Sequence, residues 1–275
     1  MKKLTWRQIK ARYRYSVILL KELVRTDFKV RYQGSVLGYL WSLLRPLFMF
    51  IILYFIFVYF LKIGKGIPHW PVALLLGIVM WNFFTEITNQ GLRSIVNKGG
   101  VIRKINFPKY IIILSASISA LINLLINLVI IAIFIAVNHV PLTWAMLMIP
   151  LFIVEMFMFA IGCAFILSTV YVKYRDVNFV WDIIIQGAFY ASAVLFPLSR
   201  VATSSAFAAK VMLLNPAAQA IQDARHFLLP ATMPSANDYI HHAGILLIPF
   251  AIILVVFVFG AIYFRKRSPH FAEEI

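Results

Sequence analysis

Charged residues are scarce in this chain, and acidic ones are the scarcest. Only 13% of the 275 residues are Asp, Glu, Lys or Arg, about half the charged share of a typical soluble domain, while 62% are hydrophobic. One globular core cannot bury so many apolar side chains, so the surrounding solvent must be lipid. The composition therefore excludes a soluble enzyme and predicts an all-α integral membrane protein.

Cysteine and catalytic motifs are nearly absent. The single cysteine, Cys163, lies inside an apolar run, which excludes an internal disulfide and a cysteine-based metal cluster. There is no HExxH, no GxSxG and no Asp pair at metal-ligand spacing, and we interpret His241-His242 as an interfacial pair rather than a metal site. We therefore expect no catalytic residue, no metal and no cofactor in this chain.

A basic amphipathic helix is predicted at residues 4–25, where apolar and basic side chains each recur every three or four residues. Residues 1–34 lack an apolar region with a cleavage site, so no cleavable signal peptide is expected. The helix either only anchors the chain in the membrane interface or also binds an anionic substrate head group, such as a pyrophosphate. The candidates for that second role are Lys3, Arg7, Lys10, Arg14 and Arg31.

Six apolar segments follow, and each reaches the roughly 20 residues that cross about 30 Å of hydrocarbon. Residues 1–34 would then form a cytoplasmic interfacial helix, and residues 35–275 one six-helix membrane domain. The predicted spans are 36–61, 70–92, 110–137, 143–171, 177–198 and 243–264.

The distribution of basic residues predicts the orientation. Twenty of the 26 Lys and Arg residues fall on one side of the predicted spans and five on the other, which places both termini in the cytoplasm. The net charge of +16 by itself would suggest a nucleic-acid partner. Because the basic residues cluster at the ends of apolar runs, we instead expect membrane lipid, and not nucleic acid, as the partner.

Two short apolar helices are predicted on the outer side, before the last span. Residues Ala206–Leu214 and Ala217–Leu229 reach only about 14 and 20 Å, too short to cross. The segment 206–229 is therefore either a re-entrant helical hairpin in the outer leaflet or a surface loop with two interfacial helices.

Several different short motifs follow one another along nearly the whole chain. The first lies in residues 28–47, FKVRYQGSVLGYLWSLLRPL, between the basic N-terminus and an uncharged run. The motif positions are Phe28, Arg31, Tyr32, Ser35, Leu37, Gly38, Leu40, Trp41, Pro46, Leu47, Gly77, Trp81, Phe83, Phe84, Asn97, Ile102, Lys104, Phe107, Pro108, Tyr174, Arg175, Asp176, Asn215, Pro216 and Arg225.

This set resembles the membrane subunit of bacterial polysaccharide-exporting ABC transporters, the permeases for O-antigen, capsule and teichoic acid chains. One departure is Ser192-Ala193-Val194, where the family often has Ser-Pro-Val, which puts a local kink at Ala193 in doubt.

The resemblance implies six spans, a cytoplasmic amphipathic helix and a re-entrant hairpin, in a homodimer that binds two copies of a separate ATPase subunit. This chain has no GxxxxGK[ST] phosphate loop, so we expect it not to be an enzyme, with ATP and Mg bound by the partner. The implied substrate is an undecaprenyl-linked glycan, and the implied location is the bacterial cytoplasmic membrane.

Two cytoplasmic stretches, Ser94–Lys104 and Tyr171–Val177, resemble the coupling helices that dock on the ATPase; alternatively, they are basic loops that only fix orientation. The coupling candidates are Asn97, Lys98, Arg103, Lys104, Tyr174, Arg175 and Asp176.

Three features could line the glycan path. Four polar residues of the third span lie four apart on one helix face, where they line a pore or join helices. Aromatic rings of the first span could pack against sugars or simply face lipid. Glu155 and Arg45 lie inside spans, so each should face the protein interior or water, and Glu155 should have a polar partner. The lining candidates are Tyr54, Tyr59, Ser115, Ser119, Asn123, Asn127 and Glu155.

The sequence therefore predicts the permease subunit of an exporter for a lipid-linked polysaccharide of the O-antigen, capsule or teichoic acid type. The alternatives are a lipid or drug exporter of the same superfamily and a membrane-embedded glycosyltransferase, which would need an acidic metal site. A structural scaffold is a further alternative that the charges inside spans disfavour.

Overall fold

The computed structural model describes residues 6–32, 34–35, 37–38, 40–105 and 107–275, without the side chains of 6–13, 28, 31, 32, 42 and 243. All regular secondary structure in these ranges is helical, which confirms the all-α prediction. Five described segments are long and apolar enough to cross a membrane. They are 43–60, 70–97, 110–137, 144–173 and 244–274.

The N-terminal helix and the first span are separate elements. Helix α1 covers Trp6–Tyr32, seven residues beyond the predicted end at residue 25, and α2 covers Leu40–Leu53 and continues as a π-helical segment, Tyr54–Phe60. Between α1 and α2, Gly34 and Gly38 have φ values of 77° and 49°, in the left-handed region that glycine adopts without strain. The described helix of the first span begins at Leu40, and the predicted start at residue 36 lies outside the described residues.

The next two long helices flank a short one. Helix α3 covers Trp70–Asn97, α4 covers Gly99–Lys104, and α5 covers Tyr110–Val137 with the predicted bounds. Because α3 continues five residues past the predicted end at residue 92, it includes the first residues of the predicted coupling stretch Ser94–Lys104.

The fourth span begins with a 3-10 turn, Trp144–Met148, and continues as α6, Ile149–Lys173. Helix α7 covers only Val177–Ala191, so the predicted helix over 177–198 is too long. Its 15 residues reach about 22 Å, less than the hydrocarbon thickness. The chain turns at Ala193, whose φ of 50° is left-handed and incompatible with a continuing helix; the local kink is thus present without proline.

The segment 206–229 contains two short helices close to their predicted bounds, α9 and α10. Asn215 accepts a hydrogen bond from the Ala217 N–H (3.0 Å), and Pro216 occupies the first position of α10, as is typical of a helix start. The remaining helices are α8 Leu198–Ser204, α9 Ala206–Leu213, α10 Pro216–Leu228, α11 Ala236–Tyr239, α12 Ala243–Leu246, α13 Ile248–Arg267 and α14 Phe271–Glu274.

Helix α3 is the centre of the bundle. In its most apolar window 78% of the residues are buried, against 17% in the windows of the first and last spans. It packs against α5 and α6, while α13 packs against α6, and α10 packs across α3 and α6. The first and last spans therefore leave most of their surface to lipid or to another subunit.

Candidate functional site

A pocket of about 530 Å³ lies between α2, α3 and α5. We call it the polar pocket, because five amide and two charged side chains are among its thirteen lining residues. Polar groups inside spans are costly unless they meet one another or water, so their convergence in one cavity is unlike ordinary helix packing. Its lining residues are Trp41, Arg45, Pro46, Val79, Asn82, Phe83, Thr85, Glu86, Asn89, Gln90, Asn123, Leu124 and Asn127.

One face of α3 supplies most of this polarity. Asn82, Glu86 and Asn89 are four and three residues apart and therefore share a helix face. The carboxylate of Glu86 accepts hydrogen bonds at Oε1 from Gln90 Nε2 (2.8 Å) and from Asn123 Nδ2 of α5 (2.6 Å). These bonds join α3 to α5 at the wall of the pocket.

The polar face predicted on α5 divides into two parts. Asn123 and Asn127 line the polar pocket. Ser115 and Ser119 are fully buried and donate to the backbone of their own helix, Ser115 Oγ to Ile112 O (2.8 Å) and Ser119 Oγ to Ser115 O (2.9 Å). The two serines lie at least one helical turn closer to the N-terminus of α5 than Asn123, and they do not line the pocket.

The two tyrosines predicted to line the path lie in the π-helical segment, outside the polar pocket. Tyr54 is half-buried, with its ring centroid 5.9 Å from that of Phe50. Tyr59 is 67% exposed, and its ring centroid lies 5.8 Å from that of Phe60. Their rings belong to an aromatic surface on the outside of this subunit, so a lining role remains a prediction.

The two charges predicted inside spans lie in different places. Arg45 lines the polar pocket, as expected for a charge in a span. Glu155, on α6, is 8% exposed, and its Oε1 has no hydrogen-bond partner among the described residues. The carboxyl of Asp223 on α10 is close enough to interact with it electrostatically. The polar partner expected for Glu155 is therefore not found in the described part of the chain.

A contact that the sequence analysis missed joins three elements near the C-terminal end of α3. Asp27 of α1 forms an ion pair with Lys98, between α3 and α4, at 2.5 Å (Nζ to Oδ1), and its Oδ2 accepts from Ser115 Oγ of α5 at 3.3 Å. We call this contact the Asp27 junction. Asp27 is one of two acidic residues in a basic helix, which is the signal that could have identified it.

The predicted coupling residues lie at one end of the bundle. Arg93, near the end of α3, donates from Nε to Asn178 Oδ1 on α7 (2.8 Å). Each of these two residues directly flanks one of the predicted coupling stretches. Arg175 lies over the ring of Tyr171, 5.1 Å from its centroid. Apart from Lys98 in the Asp27 junction, the candidates are all exposed: Asn97, Arg103, Lys104, Tyr174, Arg175 and Asp176.

The C-terminal segment packs at this same end. Lys109 donates from Nζ to the carbonyl oxygens of Ser268 (2.5 Å) and Pro269 (3.4 Å). Burial lowers the pKa of Lys109, and the Glu273 carboxylate partly offsets that effect. Phe271 of α14 is 1% exposed, so residues 268–275 form part of the surface around α4.

The structure can test little of the predicted head-group site. Lys3 lies outside the described residues, and the side chains of Arg7, Lys10 and Arg31 are among those not described. Arg14 is exposed on α1, where an anionic group could reach it.

Arg225 of α10 is fully buried and forms no ion pair with an acidic side chain among the described residues. Its guanidinium donates from Nε to Ala73 O (2.9 Å), from Nη1 to Ala193 O (2.7 Å) and from Nη2 to Val194 O (2.5 Å). A side chain on Gly77 would clash with it. We call these contacts the Arg225 clamp, which joins the N-terminal end of α3, the turn after α7 and α10.

Among the described residues, no three His, Cys, Asp or Glu side chains come together as a metal site would require. The arrangement offers a polar cavity within spans, a basic N-terminal helix and an exposed end of the bundle that carries the predicted coupling residues.

Comparison with known proteins identifies the family of this chain. The family model described as "ABC-2 type transporter" matches residues 18–229. The chain is similar to the O-antigen export system permease protein RfbA of Myxococcus xanthus, with 26% identity over 98% of this chain and 99% of the relative. It is also similar to two proteins of that name from Klebsiella pneumoniae, with 29% identity (96% and 98% covered) and 28% identity (94% and 95% covered). With its five long apolar helices, the chain is a multi-pass membrane protein that belongs to the ABC-2 type transporter family.

Proposed function

We propose that this chain is the permease subunit of an ABC exporter that moves a lipid-linked polysaccharide of the O-antigen type across the bacterial cytoplasmic membrane. The observation that carries the proposal is the similarity to three O-antigen export permeases over at least 94% of the chain. A separate ATPase subunit would supply the energy, as is general in this family.

The proposed topology has six crossings and both termini in the cytoplasm. Helix α7, though only 15 residues long, would be the fifth crossing, completed at its outer end by the turn at Ala193 and by α8. The excess of basic residues on the side of α1 and α4 supports this orientation. Helices α9 and α10 would form a re-entrant hairpin in the outer leaflet, a depth at which non-helical backbone needs protein contacts such as the Arg225 clamp.

The working unit we propose is a homodimer with two ATPase copies, and the glycan path lies between the two permease copies. An undecaprenyl-linked substrate would enter at the cytoplasmic interface, where the basic face of α1 meets its pyrophosphate. The largely unburied surfaces of the first and last spans support a further subunit contact in the membrane.

Co-purification with the presumed ATPase tests this function. We expect the complex to hydrolyse ATP and, in vesicles, to export glycan, whereas a lipid or drug exporter of the same superfamily would move its own substrate and leave glycan inside. Turnover of a substrate by the purified chain alone would contradict the proposal.

In cells lacking the gene, restored export by a chain without residues 1–25 would remove the role of α1.

The coupling route we propose runs from the ATPase through α4 and residues 174–176 to the Asp27 junction. Because Asp27 joins α1 to Lys98, movement of α4 would be transmitted to the helix that receives the substrate. The junction is the described contact that links a coupling candidate to α1.

We expect Asp27→Asn and Lys98→Met each to reduce ATP-driven export about fivefold, the ratio that corresponds to about 1 kcal/mol. Side chains of this pair are 21% and 22% exposed, so a larger electrostatic effect is not expected. The double variant should be no worse than either single variant, because both remove one interaction. Glu22→Gln, on the exposed side of the same helix, is the matched control; fully additive losses would refute the junction.

A further inference from the structure

We propose that the polar pocket binds a sugar ring of the transported glycan within each subunit, in its cytoplasmic half. This inference rests on the proposed function and adds a specific subsite to it. Trp41 and Arg45 lie in the first turns of α2 and Gln90 near the end of α3, which places the pocket on the side where the substrate would enter.

The first argument is unused hydrogen-bonding capacity. Asn123 is 6% exposed, and although its Nδ2 donates to Glu86, its Oδ1 has no partner among the described residues. The side chains of Asn82 and Asn89 also line the pocket and form no hydrogen bond within the described part of the chain. Buried polar groups are normally paired, so the open Oδ1 of Asn123 indicates a polar ligand or water. The half-buried amides of Asn82 and Asn89 face the same cavity and can bind that ligand too.

The second argument is the chemistry of the lining. An amide offers both donors and acceptors, which matches sugar hydroxyls that donate and accept at once. Arg45 and Glu86 carry opposite charges in the same pocket, so the lining favours a neutral hydroxyl-rich group over a phosphate. The ring of Trp41, 45% exposed, supplies an apolar face for the C–H surface of a pyranose.

The third argument is size and position. A volume of about 530 Å³ lies within the roughly 300–1,000 Å³ of small-molecule sites, which is enough for a sugar ring. A pocket made of polar groups at membrane depth is tolerated because it holds water or a polar solute. The subsite would hold the sugar of an entering chain while its lipid remains in the membrane.

The test uses the complex with its ATPase in lipid nanodiscs and two probes. One probe is the lipid-linked glycan extracted from the producing cells, and the other is undecaprenyl pyrophosphate, which lacks the sugars. We expect the wild type to bind the glycan-bearing lipid about tenfold more tightly. The double variant Asn82→Leu/Asn89→Leu removes two amides that no described residue uses, so it should fold normally and lose this preference, with unchanged affinity for the bare lipid.

The outcomes separate the two proposals. Asn138→Leu, which changes the same residue type at the outer end of α5, should keep the preference. Equal binding of both lipids to the wild type would overturn the sugar site and leave the exporter function standing. A double variant that retains the preference would also overturn it, because the pocket would then hold only water. Binding of neither lipid would overturn both proposals.

Discussion

Replacing Arg225 by leucine is expected to abolish most of the folded protein and, with it, export. The side chain is fully buried and donates to the carbonyl oxygens of Ala73, Ala193 and Val194. The carbonyl oxygens of Ala193 and Val194, in the turn after α7, would each lose the Arg225 donor at a cost of about 1–3 kcal/mol. The Ala73 oxygen would keep the helical bond of α3. The sum is still a substantial part of a typical folding free energy of about 5–15 kcal/mol. Thermal unfolding of the purified protein in detergent, followed by size-exclusion chromatography, measures the loss.

Two further variants make this result specific. Arg225→Lys keeps the charge but not the planar fork that reaches three acceptors, so we expect an intermediate loss. Arg200→Leu changes an exposed arginine of α8 and should leave unfolding nearly unchanged. If Arg225→Leu and Arg200→Leu both unfolded at the same temperature as the wild type, the clamp would not contribute to the stability of the fold.

The second large effect is expected at Gly162, where α6 touches α13. A Cβ atom there would lie 2.8 Å from both the N and Cα atoms of Phe257, and one on Gly260 would lie 2.6 Å from Gly162 O. Small residues let membrane helices approach this closely. Because backbone atoms cannot move aside alone, Gly162→Ala should cost about 1–3 kcal/mol, and Gly162→Leu should separate the last span from the bundle.

Gly187 provides the matched control for this prediction. It lies on α7, and a Cβ atom there meets nothing within 4 Å, so Gly187→Leu should leave the melting temperature and export close to those of the wild type. The measurement is thermal stability in detergent together with export in cells. Equal stability of the Gly162→Leu and Gly187→Leu variants would show that α6 and α13 are not packed through glycine.

The spans were predictable because they depend on local composition. Tyr110–Val137 has its predicted bounds, since a continuous apolar run between charged ends specifies a helix without reference to any other element. The Asn-Pro start of α10 is likewise a local signal. By contrast, the end of α7 at Ala191 depends on a left-handed φ at Ala193, which alanine adopts only when surrounding contacts impose it.

The sites were less predictable because they depend on tertiary contacts. Arg225 binds backbone carbonyls, which every residue has and which leave no trace in the sequence. Asp27 and Lys98 are 71 residues apart. The polar pocket had a partial signal, since Asn82, Glu86 and Asn89 share one face of α3, yet only the packing of α2 and α5 makes that face a cavity.

The Arg225 clamp also constrains the order of biosynthesis. Its donor is 152 positions downstream of the Ala73 carbonyl and about 30 downstream of the turn after α7. A nascent chain leaving the ribosome therefore makes four of its five long apolar segments, and the shorter α7, before the arginine emerges. The N-terminal end of α3 would be fastened only after α10 is made, so a chain stalled before α10 should be especially vulnerable to quality-control proteases.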